Sequence, residues 1–213
     1  MRVIRGEPGL RGVRVQGMDP APWTGSEPVR LPFRVPRGRL ATWVGGRMML
    51  ALSQQEVADL LDVPPGSQVL EVGYGSGALL RSLRQSPARR ICGVDPSPQM
   101  RRMARRRCPR ADLRLGTAAR TGFADGEFDR VVSVHNVGFW PDLSAGLREL
   151  HRVTRPGGRV LIAWPGGRNT TRMVQLMALP YRTLSRIERE LGELFTGVER
   201  HELENLTAFT ATR

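Results

Sequence analysis

Val69-Leu70-Glu71-Val72-Gly73-Tyr74-Gly75-Ser76-Gly77 is the stretch that decides the fold: an apolar run meets one acidic residue and then three glycines at alternate positions. Glycine enters backbone conformations that side chains disfavour and lets the main chain approach a ligand closely. The first N–H groups of the helix that follows have no partner inside it and favour anionic or polar ligands. The stretch therefore predicts a strand, Gln68 to Val72, turning through a nucleotide-cofactor loop into a helix from about Ala78 to Gln85. Gly73, Gly75 and Ala78 also satisfy the dinucleotide spacing G-x-G-x-x-G/A, so the loop by itself leaves two cofactor classes open.

Twenty residues beyond Gly75, Arg90-Ile91-Cys92-Gly93-Val94-Asp95 reads as a second buried strand ending in a carboxylate, placed to accept hydrogen bonds from ribose hydroxyls. Both cofactor classes use such a residue. What separates them is Glu71 with all three glycines at period two, followed by Phe128-Asp129-Arg130-Val131-Val132-Ser133-Val134 and by Leu150-His151-Arg152-Val153-Thr154-Arg155-Pro156-Gly157-Gly158-Arg159-Val160-Leu161-Ile162. With these segments in this order, residues 60 to 165 resemble the class I S-adenosylmethionine-dependent methyltransferases, in the small-molecule branch labelled methyltransferase type 11.

The resemblance implies a site for S-adenosylmethionine. Gly73, Tyr74, Gly75 and Gly77 would form the loop beside its methionine part, with Glu71 nearby, acting through water on the amino group, and Asp95, with Pro96 beside it, would take the ribose hydroxyls. Gly116-Thr117-Ala118 stands where many members carry Gly-Asp-Ala and use the Asp on the adenine amino group. Thr117 replaces that Asp here, which leaves adenine recognition more to the backbone around Thr117 and Ala118. His135 and Asn136 complete the expected cofactor contacts.

Along the chain, residues 1–38 are rich in Gly, Pro and Arg, with Pro20, Pro22, Pro28, Pro32 and Pro36 breaking any helix, and read as an arm before a methyltransferase domain spanning 39–213. Helices are expected at Gln54 to Leu61, Pro98 to Arg107, Leu143 to Val153 and Arg182 to Phe195. Further strands are expected at Leu113 to Leu115, Asp129 to Val134, Arg159 to Trp164, Val198 to Leu203 and Thr207 to Thr212. Strands alternating with helices argue an α/β fold, Rossmann-like and doubly wound, and the resemblance implies a mostly parallel seven-stranded sheet with an antiparallel C-terminal edge hairpin.

In such sheets ligands sit beyond the carboxyl ends of the strands. That rule selects His135-Asn136-Val137-Gly138-Phe139-Trp140, after the fourth strand. His135 is the candidate general base, with an unperturbed pKa near 6.5; a histidine bonded to backbone at a strand end is the plainer alternative. Phe139 and Trp140 are candidate walls of a substrate site, although aromatics at such positions commonly serve the core. Trp43 and Arg47, in Trp43-Val44-Gly45-Gly46-Arg47, are candidate substrate contacts from a segment that would fold over the cofactor. The three histidines fall on separate elements, so no metal site is expected.

Composition bounds the rest. The net charge is +13, and all 33 basic residues are arginine. Codon bias accounts for arginine in place of lysine but not for its excess over 20 acidic residues. Arg101, Arg102, Arg105, Arg106, Arg107 and Arg110 crowd one predicted helix, either as a solvated face or as a site for a phosphate-rich or acidic partner. No apolar run of eighteen residues occurs, the N-terminus lacks a signal-like apolar core, and Cys92 and Cys108 have no paired spacing. These features suggest a cytoplasmic, non-membrane protein. The leading expectation is a methyltransferase acting on a small-molecule acceptor at O, N or C. RNA methylation and a catalytically inactive methyltransferase-like binding protein stand as alternatives, and a homodimer is one way to close a site that the short stretch after the fifth strand leaves open.

Overall fold

The computed structural model describes residues 54–168 and 172–213. Seven strands form one sheet: β1 (Gln68–Val72), β2 (Arg90–Asp95), β3 (Asp112–Leu115), β4 (Phe128–Val134), β5 (Thr154–Pro165), β6 (Thr196–Glu202) and β7 (Leu206–Thr212), in the order β3-β2-β1-β4-β5-β7-β6. The first five pair in parallel, and β7 runs antiparallel between β5 and β6. The expected α/β, Rossmann-like doubly wound sheet with its antiparallel closing hairpin is the fold observed. Its order reverses between β1 and β4, which places a crevice at their carboxyl ends.

Strand periodicity divides the interior in two. Leu70, Val72, Val131, Val160 and Ile162 join one apolar cluster with α4 (Leu143–Val153) and α6 (Tyr181–Gly192). Their neighbours Val69, Val132, Leu161 and Ala163 turn to the other face, with α1 (Gln54–Leu61) and α2 (Ala78–Leu83). α3 (Pro98–Arg107) closes a third, smaller cluster of Tyr74, Leu80, Ala104, Cys108 and Leu113. Ser97 caps α3 by accepting from Met100 N, and Asp142 caps α4 by accepting from Ala145 N, each fixing the entry of a helix just beyond a strand.

The expected elements are present, most within two residues of their expected bounds, with four larger adjustments. β5 starts five residues earlier than expected, because Thr154 already pairs with Phe128; Pro156-Gly157-Gly158 is an excursion inside the strand, with Gly157 at φ +73°. The last helix ends at Gly192, and Phe195 reaches the core from beyond it. Two short elements were not foreseen: a 3-10 turn at Val137–Phe139, and α5 at Arg172–Met177, whose Met177 carbonyl accepts from Trp164 Nε1 at 2.7 Å. The arm expected at residues 1–38 and the two substrate contacts expected at Trp43 and Arg47 lie outside the described residues.

Candidate functional site

The three loop glycines do different work. Gly73, Gly75 and Gly77 all hold positive φ, at +80°, +50° and +80°, a region that costs a side-chain-bearing residue of the order of 1–2 kcal/mol. A Cβ at Gly73 would fall on the Asn136 side-chain amide, and one at Gly77 would sit 2.9 Å from Ala104 Cβ. A Cβ at Gly75 would meet nothing within 4 Å. Gly73 and Gly77 are thus required by contact with the protein, whereas Gly75 leaves open space at the centre of the loop.

Asp95 fixes that centre. The side chain is 7% exposed; Oδ2 accepts from Gly75 N at 2.9 Å and Oδ1 from Ser97 N at 2.8 Å. Each oxygen keeps lone-pair capacity for one further donor, which matches a pair of vicinal hydroxyls. Burial raises its pKa, and the two backbone N–H groups oppose that shift. Glu71 is 4% exposed, and its Oε2 is buried with no hydrogen-bond partner. Desolvation, reinforced by the charge of Asp95 and opposed by the Leu80 N–H, pushes its pKa up to about 8. A buried, unpartnered carboxylate oxygen is costly unless a donor or cation completes it.

A second unpartnered atom stands on the adjacent strand. His135 follows β4 at φ +55°, its N–H donates to Ala163 O at 2.9 Å, and its Nδ1 is buried without a partner. Burial lowers its pKa to about 4, so the ring is neutral near pH 7. Asn136 ties the two strand ends together: Nδ2 donates to Val72 O at 3.3 Å, while Oδ1 accepts from Trp140 Nε1 at 3.1 Å.

Two expected contacts fall elsewhere. The Tyr74 ring is 2% exposed and turns into the core beside Gly93, where a Cβ would come within 2.6 Å of Tyr74 Cδ1; its hydroxyl donates to Arg114 O at 3.3 Å. Only the Tyr74 backbone belongs to the loop surface. Trp140, also 2% exposed, lies against Gly146 and braces Asn136 instead of walling a substrate site. Phe139 remains half-buried, edge-on to Trp164 with ring centroids 5.3 Å apart. Pro96 and Thr117 are exposed beside the site, and Ala118 is buried.

Two supports were not anticipated. Arg107 Nη1 donates to Ser76 O at 3.0 Å and to Ser76 Oγ at 2.6 Å, holding the glycine loop from behind while Cys108 Sγ donates to Gly77 O at 3.6 Å. Glu149 Oε1 accepts from Thr121 N at 2.8 Å and Thr121 Oγ1 at 2.6 Å, and Arg152 Nη2 donates to Phe123 O at 2.8 Å. These bonds anchor the segment that follows Thr117 and Ala118. The Glu149–Arg152 pair has an i, i+3 spacing that the sequence displays; Arg107 is indistinguishable within its run.

A loop of left-handed glycines, a carboxylate with two acceptor positions left over and an orphaned acidic oxygen at a switch point define a nucleotide-cofactor site of the Rossmann-like class. A family description, "Methyltransferase domain", matches residues 70–162. The uncharacterized methyltransferase YdaC of Bacillus subtilis is 30% identical over 125 residues, which cover 56% of this chain and 69% of that protein. A demethylmenaquinone methyltransferase of Chlorobaculum parvum is 36% identical over 98 residues, 46% of this chain; the chain spans 41% of that relative's length. A solved S-adenosylmethionine-dependent methyltransferase from Aquifex aeolicus shares the fold with a TM-score of 0.62 at 14% identity, over 80% of this chain and 97% of that one. The chain belongs to the class I S-adenosylmethionine-dependent methyltransferases, type 11 branch. The residues present fit that cofactor: its ammonium group would complete Glu71, and its ribose hydroxyls would fill Asp95.

Proposed function

We propose that the protein transfers a methyl group from S-adenosylmethionine to a small apolar or aromatic metabolite, at oxygen, nitrogen or carbon. The observation that carries the reading is the orphaned Glu71 Oε2 beneath a glycine loop whose centre, Gly75, opens on free space. The names of relatives add support, since the Chlorobaculum parvum protein is a demethylmenaquinone methyltransferase and one of Synechocystis sp. a 2-methyl-6-phytyl-1,4-hydroquinone methyltransferase. Glu71, Gly73, Gly75, Gly77 and Asp95 would hold the cofactor, with the backbone of Thr117 and Ala118 toward the adenine and Asn136 fixing the loop. The half-buried Phe139 offers an apolar side to the acceptor.

The cofactor supplies an electrophilic methyl on a sulfonium, so the chain's contribution is alignment and exclusion of water. His135, neutral with a pKa of about 4, is a weak base near pH 7. In this reading it orients a polar group through Nδ1, and the methyl acceptor must be nucleophilic without strong proton abstraction.

Calorimetric titration with S-adenosylmethionine and its demethylated product tests the site. Wild type should bind at micromolar levels, and Gly75→Arg and Asp95→Ala should each lose at least tenfold in affinity. Transfer of labelled methyl groups to a panel of hydroxylated aromatics should then exceed transfer to total RNA. Absence of cofactor binding in the wild type would overturn the reading, and label entering RNA alone would move the acceptor out of the small-molecule class.

A further inference from the structure

Between Ala78 and Ala111 the chain carries ten arginines and one carboxylate, Asp95, a local excess of nine within a net charge of +13. Asp95 is buried and engaged by two backbone N–H groups, so it offers nothing to the surface. Arg81, Arg84, Arg102, Arg105, Arg106 and Arg110 are exposed, and no carboxylate among the described residues lies within 4.0 Å of any of them. Other arginines find partners, Arg90 of the same segment with Asp112 and Glu127, and beyond it Arg152 with Glu149, Arg155 with Asp129 and Arg186 with Glu190. A genome that favours arginine explains its abundance, but not why one face is left without acidic neighbours.

The arrangement is unfavourable to the isolated chain. Arg102 and Arg106 are four residues apart on α3, and Arg102 and Arg105 three apart, spacings at which like charges repel by a few tenths of a kcal/mol. The end of α3 offsets part of this, because cations near a helix C-terminus are favoured.

The character of the face restricts what can cover it. The exposed large hydrophobic residues among those described are Leu115 and Tyr181, and neither lies on α2 or α3. A helix that lies in a membrane surface buries an apolar side in the lipid, whereas α3 turns Ala104 and Met100 into the protein's own cluster. A protein partner is gripped through a buried cluster in which aromatic rings join arginine, and the segment from Ala78 to Ala111 contains no aromatic residue. A phosphodiester backbone requires neither, because guanidinium groups bind it through charge and paired N–H donors.

We propose that the α2–α3 face is a docking surface for a nucleic-acid backbone, bound without regard to sequence and separate from the residues that hold the cofactor. The proposal does not depend on which molecule accepts the methyl group.

The test is fluorescence anisotropy with a labelled 30-nucleotide mixed-sequence single-stranded RNA and a DNA duplex of equal length, titrated with the full chain between 50 and 200 mM salt. One variant reverses the face (Arg102→Glu, Arg106→Glu, Arg110→Glu); a second carries reversals on the exposed Arg148 and Arg189 of α4 and α6. Wild type should bind at least one probe with steep salt dependence. The face variant should lose at least tenfold at 50 mM salt, and its log–log salt slope on RNA should fall by about 2, at roughly 0.7 per lost single-strand contact. The second variant should lose less than threefold, and both should bind S-adenosylmethionine as wild type does, showing that they are folded. No binding of wild type to either probe overturns the proposal, as does an equal loss in both variants. Binding to phosphatidylserine vesicles with none to the nucleic acids would overturn it in favour of a lipid surface.

Discussion

The two ends of the sheet treat polar groups in opposite ways. At the amino end, Asp129 accepts from Gln68 N at 2.7 Å and meets Arg155 at 2.7 Å, while Arg90 bridges Asp112 at 2.8 Å and Glu127 at 2.6 Å. At the carboxyl end, Glu71 Oε2 and His135 Nδ1 are buried without partners, and Asp95 keeps acceptor capacity in reserve. Folding alone normally pairs buried polar atoms. Of the three such orphans among the described residues, Glu56 Oε2 lies on α1 and the other two stand at the switch point, where a ligand that supplied their partners would restore the stability forgone.

The largest break in this contrast is Gly73→Ala. Its new methyl competes with the Asn136 amide for one position, at a backbone angle alanine resists. Overpacking of about 1–3 kcal/mol in thermal unfolding and at least a hundredfold loss of cofactor affinity are expected. Adding Asn136→Ala should return part of the stability and little of the affinity, since the loop would then have lost its tie to Val72.

Next in size is Glu71→Gln. With the folded pKa raised to about 8 against an ordinary 4.5, the native state binds protons more tightly than the unfolded one. Relative to the Gln variant, wild-type stability without cofactor should therefore fall as pH rises from 4.5 to 8, by a few kcal/mol at most; His135, lowered to about 4, adds a rise up to about pH 6.5 that both proteins share and that the comparison cancels. Pairing with the cofactor's ammonium would ionise Glu71, so binding at pH 7 should release protons. Calorimetry in buffers of different ionisation enthalpy measures that release, and it should vanish in Glu71→Gln.

The smallest effect tests the matched side of the molecule. Glu149, held down to about 2 by its hydrogen bonds to Arg152 and Thr121 against the cost of burial, contributes stability that is present above pH 4.5 and is lost as pH falls through 2. Glu149→Ala should cost about 2 kcal/mol at pH 7 and raise the cofactor Kd less than fivefold. A loss of affinity as large as that of Gly73→Ala would show that the adenine segment depends on this anchor as much as the glycine loop depends on Asn136.

How much of this was legible in the chain follows from how local each determinant is. The glycine loop, Asp95 and the alternation of strands and helices announce themselves within a few residues, because period-two apolar patterning and glycine spacing are local properties. Tyr74 and Trp140 were read as ligand contacts from their places in the loop and after the fourth strand; their directions are set by Gly93 and Gly146, which leave room for a ring. Gly93, a glycine inside an apolar strand, was the available signal of a close approach. The hold of Arg107 on Ser76 spans 31 residues and sits within a run of identical side chains, so no pattern distinguishes it.

The insertion of β7 between β5 and β6 also orders events in time. β5 presents Val160, Leu161, Ile162 and Ala163 along an edge whose partner strand, β7, begins about forty residues later. During synthesis at about 5–20 residues per second, that apolar edge stands uncovered for some seconds, open to any other strand. Until Leu206–Thr212 emerges and slides into place, the sheet is unfinished. The residues of the glycine loop are thus made well before the strand that covers this edge.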